Sequence, residues 1–63
     1  DEIQMRLQKA LLRLPDKQRL VFNMRYYDEL SYHEIAEITG TSEGALKASY
    51  HIAAKKIEEY LTA

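Results

Sequence analysis

The sequence predicts an all-α fold, a small four-helix domain that contains a helix-turn-helix. Three observations lead there. Apolar residues recur every three or four positions, and no valine-rich alternating run of the kind a strand needs is present. Two glycines and one proline are the only strong breakers in 63 residues. Two serines, Ser31 and Ser42, each stand at an apparent helix start, with Gly40 between them.

Each element follows in order. Ile3, Leu7, Ala10, Leu11 and Leu14 recur at helical spacing and predict a first amphipathic helix over about Glu2 to Arg13. Pro15 ends it, because the residue before a proline is pushed out of the helical region. Pro15 or Asp16 opens a second helix, where an acid suits the positive end of the dipole. It is expected to reach about Tyr27 and to turn Leu20, Val21, Phe22 and Met24 towards the core.

The stretch "SYHE" puts Ser31 at an N-cap and Glu34 three residues on, the capping-box arrangement. Ile35, Ala36 and Ile38 supply the apolar face of a short third helix, and Gly40 ends it in a left-handed conformation. Ser42 caps a fourth. Leu46, Tyr50, Ala53, Ile57 and Leu61 lie on one face of a single helix of about five turns. A short helix, a tight turn with glycine and a longer helix make a helix-turn-helix, here over about residues 31–57. The other face of the fourth helix carries Glu43, Lys47, Ala48, His51 and Lys55. That face suits a DNA major groove, and it equally suits the solvated side of a plain bundle.

Composition sets the limits. A chain of 63 residues makes one small domain, which buries only about 60% of its unfolded surface. With 46% hydrophobic and 30% charged residues it is globular in composition. No apolar run is long enough for a membrane span, and no signal-peptide pattern opens the chain. The absence of cysteine excludes disulfides and thiolate metal sites and fits a reducing cytoplasm. A start at Asp1 without methionine predicts a fragment of a longer protein.

From Leu11 to Leu61 the chain resembles region 4 of bacterial sigma factors, most closely the extracytoplasmic-function (ECF) group of the sigma-70 family. "LPDKQRLVFNMRYYDELSYHEIAEITG" is similar to the family's leucine-proline-acid opening, aromatic stretch and leucine-serine-tyrosine core. "TSEGALKASYHIAAKKI" continues it, with Ser42, Gly44, Lys47 and the Lys55–Lys56–Ile57 tail at matching positions. The resemblance implies promoter DNA as one partner, with the fourth helix reading the −35 element. It implies core RNA polymerase, through the β-subunit flap, as another, and an anti-sigma factor as a possible third. It implies no cofactor.

Residue by residue, Ser31 and Tyr32 match positions that hold backbone phosphate, which agrees with the free N–H groups at a helix N-terminus. Thr41, Ser42 and Gly44 border the turn and match positions close to the backbone, where Gly44 leaves room for the DNA. Lys47, Ala48, His51 and Ile52 match base-facing positions. Lys47 can donate to guanine O6 or N7, and His51 to guanine or phosphate. Ala48, Ser49 and Ile52 stand where the family more often has serine or arginine, so its usual base preference does not transfer. Lys55 extends the stripe towards the backbone. Leu12, Phe22 and Tyr26 exceed what one small core needs and are expected to form a docking surface for the flap or an anti-sigma helix.

Charge qualifies this reading. Between Ser31 and Ile57 three lysines (Lys47, Lys55, Lys56) face three glutamates (Glu34, Glu37, Glu43), so the segment is neutral. Phosphate contact supplies most DNA affinity, so the domain alone is expected to bind DNA weakly. Tethering to polymerase compensates through effective concentration. Two other binding roles fit parts of the pattern: the effector domain of a response regulator or quorum-type activator, and a protein-only interaction module. An enzyme fits none of it. "HEIAE" lacks the second histidine of the zinc-protease motif, and no nucleophile-base pair stands out.

Overall fold

The computed structural model describes residues 1–62. Four helices follow one another: α1 (Glu2–Leu12), α2 (Asp16–Tyr26), α3 (Tyr32–Thr39) and α4 (Glu43–Thr62). Among the described residues no strand forms. Each expected boundary falls within a residue or so of the observed one, because local chemistry sets it. The Asp1 carboxylate accepts the Gln4 N–H at 2.9 Å and caps α1. Pro15 precedes α2 without a side-chain cap, and Gly40 closes α3 at φ 74°.

Helix α4 is the spine, and the other three pack against it. Two apolar clusters result. In one, Leu7, Ala10, Leu11 and Leu14 meet Phe22, Ala53 and Ile57. In the other, Val21, Ile35 and Leu46 close the helix-turn-helix, with Met24, Leu30 and Ala36 at the edge. Tyr50 packs on both. Phe22 stacks on Tyr26 and on Tyr50 at ring separations of 5.2 and 5.5 Å. Ile35 and Leu46 are fully buried.

Four expectations about side-chain direction need correction. Ile3 is 71% exposed, at the rim of an open groove that it shares with Phe22, Tyr26 and Leu61. Leu20 and Ile38 are 47% and 61% exposed. They flank a groove between α2 and the turn, beside Lys17 and Thr41, and no fifth element covers them. Phe22 is the converse case: expected both towards the core and at a docking surface, it is 4% exposed, so the core expectation holds and the docking one does not.

The α2–α3 connection carries an unexpected backbone state. Glu29 sits at φ 55°, in the left-handed region, and Leu30 N–H then reaches back to the Met24 carbonyl at 3.0 Å. No glycine marks this turn in the sequence.

Candidate nucleic-acid interface

The interface begins with two caps. Ser31 Oγ accepts the Glu34 N–H at 3.1 Å, and the Glu34 carboxylate accepts the Ser31 N–H at 3.0 Å. The Ser31 backbone N–H, and then its hydroxyl, hold the Glu34 carboxyl below the ordinary glutamate range, with a smaller contribution from the charge of nearby His33. At the far end, Thr39 Oγ1 donates to the Ile35 carbonyl at 2.8 Å and accepts the Thr41 N–H at 3.3 Å, which tightens the turn. Ser42 Oγ then accepts the Ala45 N–H at 3.2 Å and caps α4.

The buried face sets the rotation of α4. With Leu46, Ala53 and Ile57 buried, the opposite face points to solvent. Gly44, Lys47, Ala48, His51, Ile52 and Lys55 are all exposed along it. A Cβ on Gly44 would meet nothing within 4 Å, so nothing in the chain itself demands glycine there. Ser31, at the N-terminus of α3, and Thr41 and Ser42, at the turn, are exposed as well.

Two residues from the sequence-derived set sit differently. Tyr32 is half-buried, edge-on to Tyr50 at 6.4 Å between ring centroids. Ser49 is half-buried and lines the groove with Lys17, Leu20 and Met24, away from the Lys47–His51–Lys55 stripe. It follows Ala48 by one residue, and about 100° of helical rotation carries it off the exposed face.

Sequence reasoning missed two features. His33 lies between two carboxylates, with Nε2 3.1 Å from Glu37 and Nδ1 3.6 Å from Glu43 across the turn. The Glu37 contact has a readable i, i+4 signal; the Glu43 contact has none. Arg25, at the end of α2, donates to the Leu30 carbonyl at 2.7 Å and lies 4.6 Å from the Tyr32 ring centroid. It brings a cation to the interface from outside the helix-turn-helix. Lys56 is lost to the interface, because its ammonium donates to Gln18 on α2 at 3.3 Å. The charge balance at this end of the molecule therefore stays close to zero. Among the described residues no cluster of potential ligands can hold a metal ion, and no helix is long and apolar enough to cross a membrane.

A capped short helix, a glycine turn and a long helix with an exposed outer stripe define a helix-turn-helix domain. Residues 4–57 match the family described as Sigma-70, region 4. Over 50 residues the chain is 42% identical to the ECF RNA polymerase sigma factor SigW of Bacillus subtilis (strain 168), covering 79% of this chain and 27% of that protein. It is 38% identical over 56 residues to the RNA polymerase sigma factor YlaC of the same organism, covering 89% of this chain and 32% of that one. The ECF RNA polymerase sigma factor RpoE of Cereibacter sphaeroides is 28% identical over 57 residues, 90% of this chain and 32% of its own length. No solved structure gives a comparable match. The chain belongs to the sigma-70 region 4 family, on its ECF branch. It spans between 27% and 32% of the length of these relatives.

Proposed function

We propose that this chain is the promoter-reading module of a longer ECF sigma factor. In this reading α4 enters the major groove at the −35 element, and the outer helices dock on core RNA polymerase. One observation carries it: in a domain of this family, α4 presents an exposed stripe through Lys47, Ala48, His51, Ile52 and Lys55. Lys47 and His51 lie one turn apart and suit neighbouring base pairs. The methyl groups of Ala48 and Ile52 suit a thymine methyl better than a guanine. Ser31, Tyr32, Thr41 and Ser42 border the helix ends where N–H groups suit phosphate, and Lys55 suits the backbone at the groove's edge. Ser49, in the groove, takes no base-reading part.

For the polymerase flap or an anti-sigma factor, Leu12 and Tyr26 are the accessible members of the expected surface, at 73% and 50% exposure. Exposed apolar side chains of this size suit protein contact.

The test uses the chain within its natural gene product, assembled with core RNA polymerase. Duplexes are selected from a library randomised at the −35 position. Lys47→Ala or His51→Ala is expected to relax selectivity at one base pair each. Unchanged selectivity in both variants would leave a protein-only interaction module as the better account.

A further inference from the structure

We propose that Tyr32 is a positioning residue for Lys47, and that its aromatic ring, not its hydroxyl, sets how sharply α4 discriminates between bases. This rests on the reading of α4 as the DNA-reading helix. The Lys47 ammonium lies 5.7 Å from the Tyr32 ring centroid, within the range where a cation is attracted to a ring face. No carboxylate competes for it among the described residues. The expected competitor is Glu43, four residues earlier on the same helix, in the order that favours a glutamate–lysine pair. Its carboxylate turns instead to His33 Nδ1, 3.6 Å away.

The ring itself is held in place. Arg25 lies 4.6 Å from its centroid and is anchored to the Leu30 carbonyl, while Tyr50 meets it edge-on. Tyr32 belongs to α3 and Lys47 to α4, so their contact spans the helix-turn-helix. A lysine on an exposed helix face otherwise samples many rotamers along its flexible stem. Restricting them towards one side of the groove concentrates the ammonium on one base edge. That restriction acts on discrimination between bases, whereas a further phosphate contact would add affinity on every sequence alike.

The alternative role for Tyr32 is a hydroxyl that donates to phosphate, and the two roles separate cleanly. The sigma factor that contains this chain, assembled with core polymerase, is assayed on the duplex that the wild-type holoenzyme selects from a randomised library. Single-base-pair variants of that duplex measure discrimination. Lys47→Ala is expected to lower discrimination about tenfold at one base pair. Tyr32→Leu is expected to lose a similar factor at that same base pair, Tyr32→Phe to keep it, and the Tyr32→Leu/Lys47→Ala pair to lose no more than Lys47→Ala alone.

In the free protein, the Lys47 side-chain protons should show a ring-current shift that Tyr32→Phe preserves and Tyr32→Leu removes. That measurement stands whether or not DNA binding is selective. Equal weakening on all sequences by Tyr32→Phe and Tyr32→Leu would overturn the proposal in favour of the phosphate role. So would additive losses in the double variant, or the absence of the ring-current shift. If Lys47→Ala itself leaves discrimination intact, the reading of α4 falls along with this proposal. If Lys47→Ala abolishes discrimination while Tyr32→Leu spares it, only the positioning role falls.

Discussion

Ser31 and Glu34 serve each other's backbone: the serine hydroxyl accepts the glutamate N–H at 3.1 Å, and the glutamate carboxylate accepts the serine N–H at 3.0 Å. Removing the hydroxyl with Ser31→Ala is expected to cost about 1 kcal/mol. In a domain of this size that lowers the melting midpoint by roughly 4–8 °C. Calorimetry on the two proteins checks it.

The same pair makes stability depend on acid. Because the Glu34 carboxyl is held below its ordinary range in the fold, its contribution is fully present above the unfolded-state value. That contribution is lost as pH falls through the folded-state value. Glu34→Gln should therefore flatten the acid limb of a stability-against-pH curve and leave the shape near neutrality unchanged. An acid limb identical in both proteins would mean the carboxylate contributes nothing.

Glu29 is a candidate for stabilisation. A left-handed conformation costs a residue with a side chain about 1–2 kcal/mol, part of which glycine gives back through its greater freedom when unfolded. Glu29→Gly is expected to gain about 0.5–1 kcal/mol, read as a higher urea midpoint at constant slope. A lower midpoint would show that the Glu29 side chain contributes more than the strain removes.

Gly44 should separate stability from binding. A methyl group there meets nothing inside the chain, so Gly44→Ala is expected to stabilise the helix by roughly 0.5–1 kcal/mol. Under the proposed function the same methyl stands where DNA comes close, so binding should weaken on every sequence. A variant that is more stable and binds as well as the original would make Gly44 a tolerated first-turn residue.

Phe22, Leu12 and Tyr26 divide by burial. Truncating Phe22 to alanine is expected to cost about 3–5 kcal/mol, since it is buried against two tyrosines. Leu12→Glu, at a site 73% exposed, should leave the melt almost unchanged. Under the proposed function it should also weaken capture of the β-flap segment. Capture insensitive to Leu12→Glu and Tyr26→Glu would remove this face from the docking account.

The punctuation was legible in the sequence because it is local chemistry. Pro15, the Ser31–Glu34 pair, Gly40 and Ser42 each act within four residues, and the helices begin and end where they direct. Periodicity was legible only in part. It correctly turned Leu46, Ala53 and Ile57 inward, but it gives a direction and not the presence of a neighbour. Ile3, Leu20 and Ile38 fit the pattern and still face solvent, because so few helices leave part of each apolar face uncovered.

Within the site, matching by family position does not show that Ser49 lies off the exposed stripe, since one residue of helical rotation takes it into the groove. Arg25 and the left-handed Glu29 had no sequence signal at all. Their roles arise where the α2–α3 connection folds back, and no spacing encodes that.

Tyr50 has a further consequence, because it touches both apolar clusters from the middle of α4. Neither cluster can open without exposing a face of the same tyrosine, so the two should come apart in a single event. Amide protons from Leu46 to Ile57 should then exchange with solvent only when the whole domain unfolds. Those of the first turn of α1, where Ile3 and Met5 lie open, should exchange by fraying. The outward half of α4 should then be protected from exchange as well as the buried half.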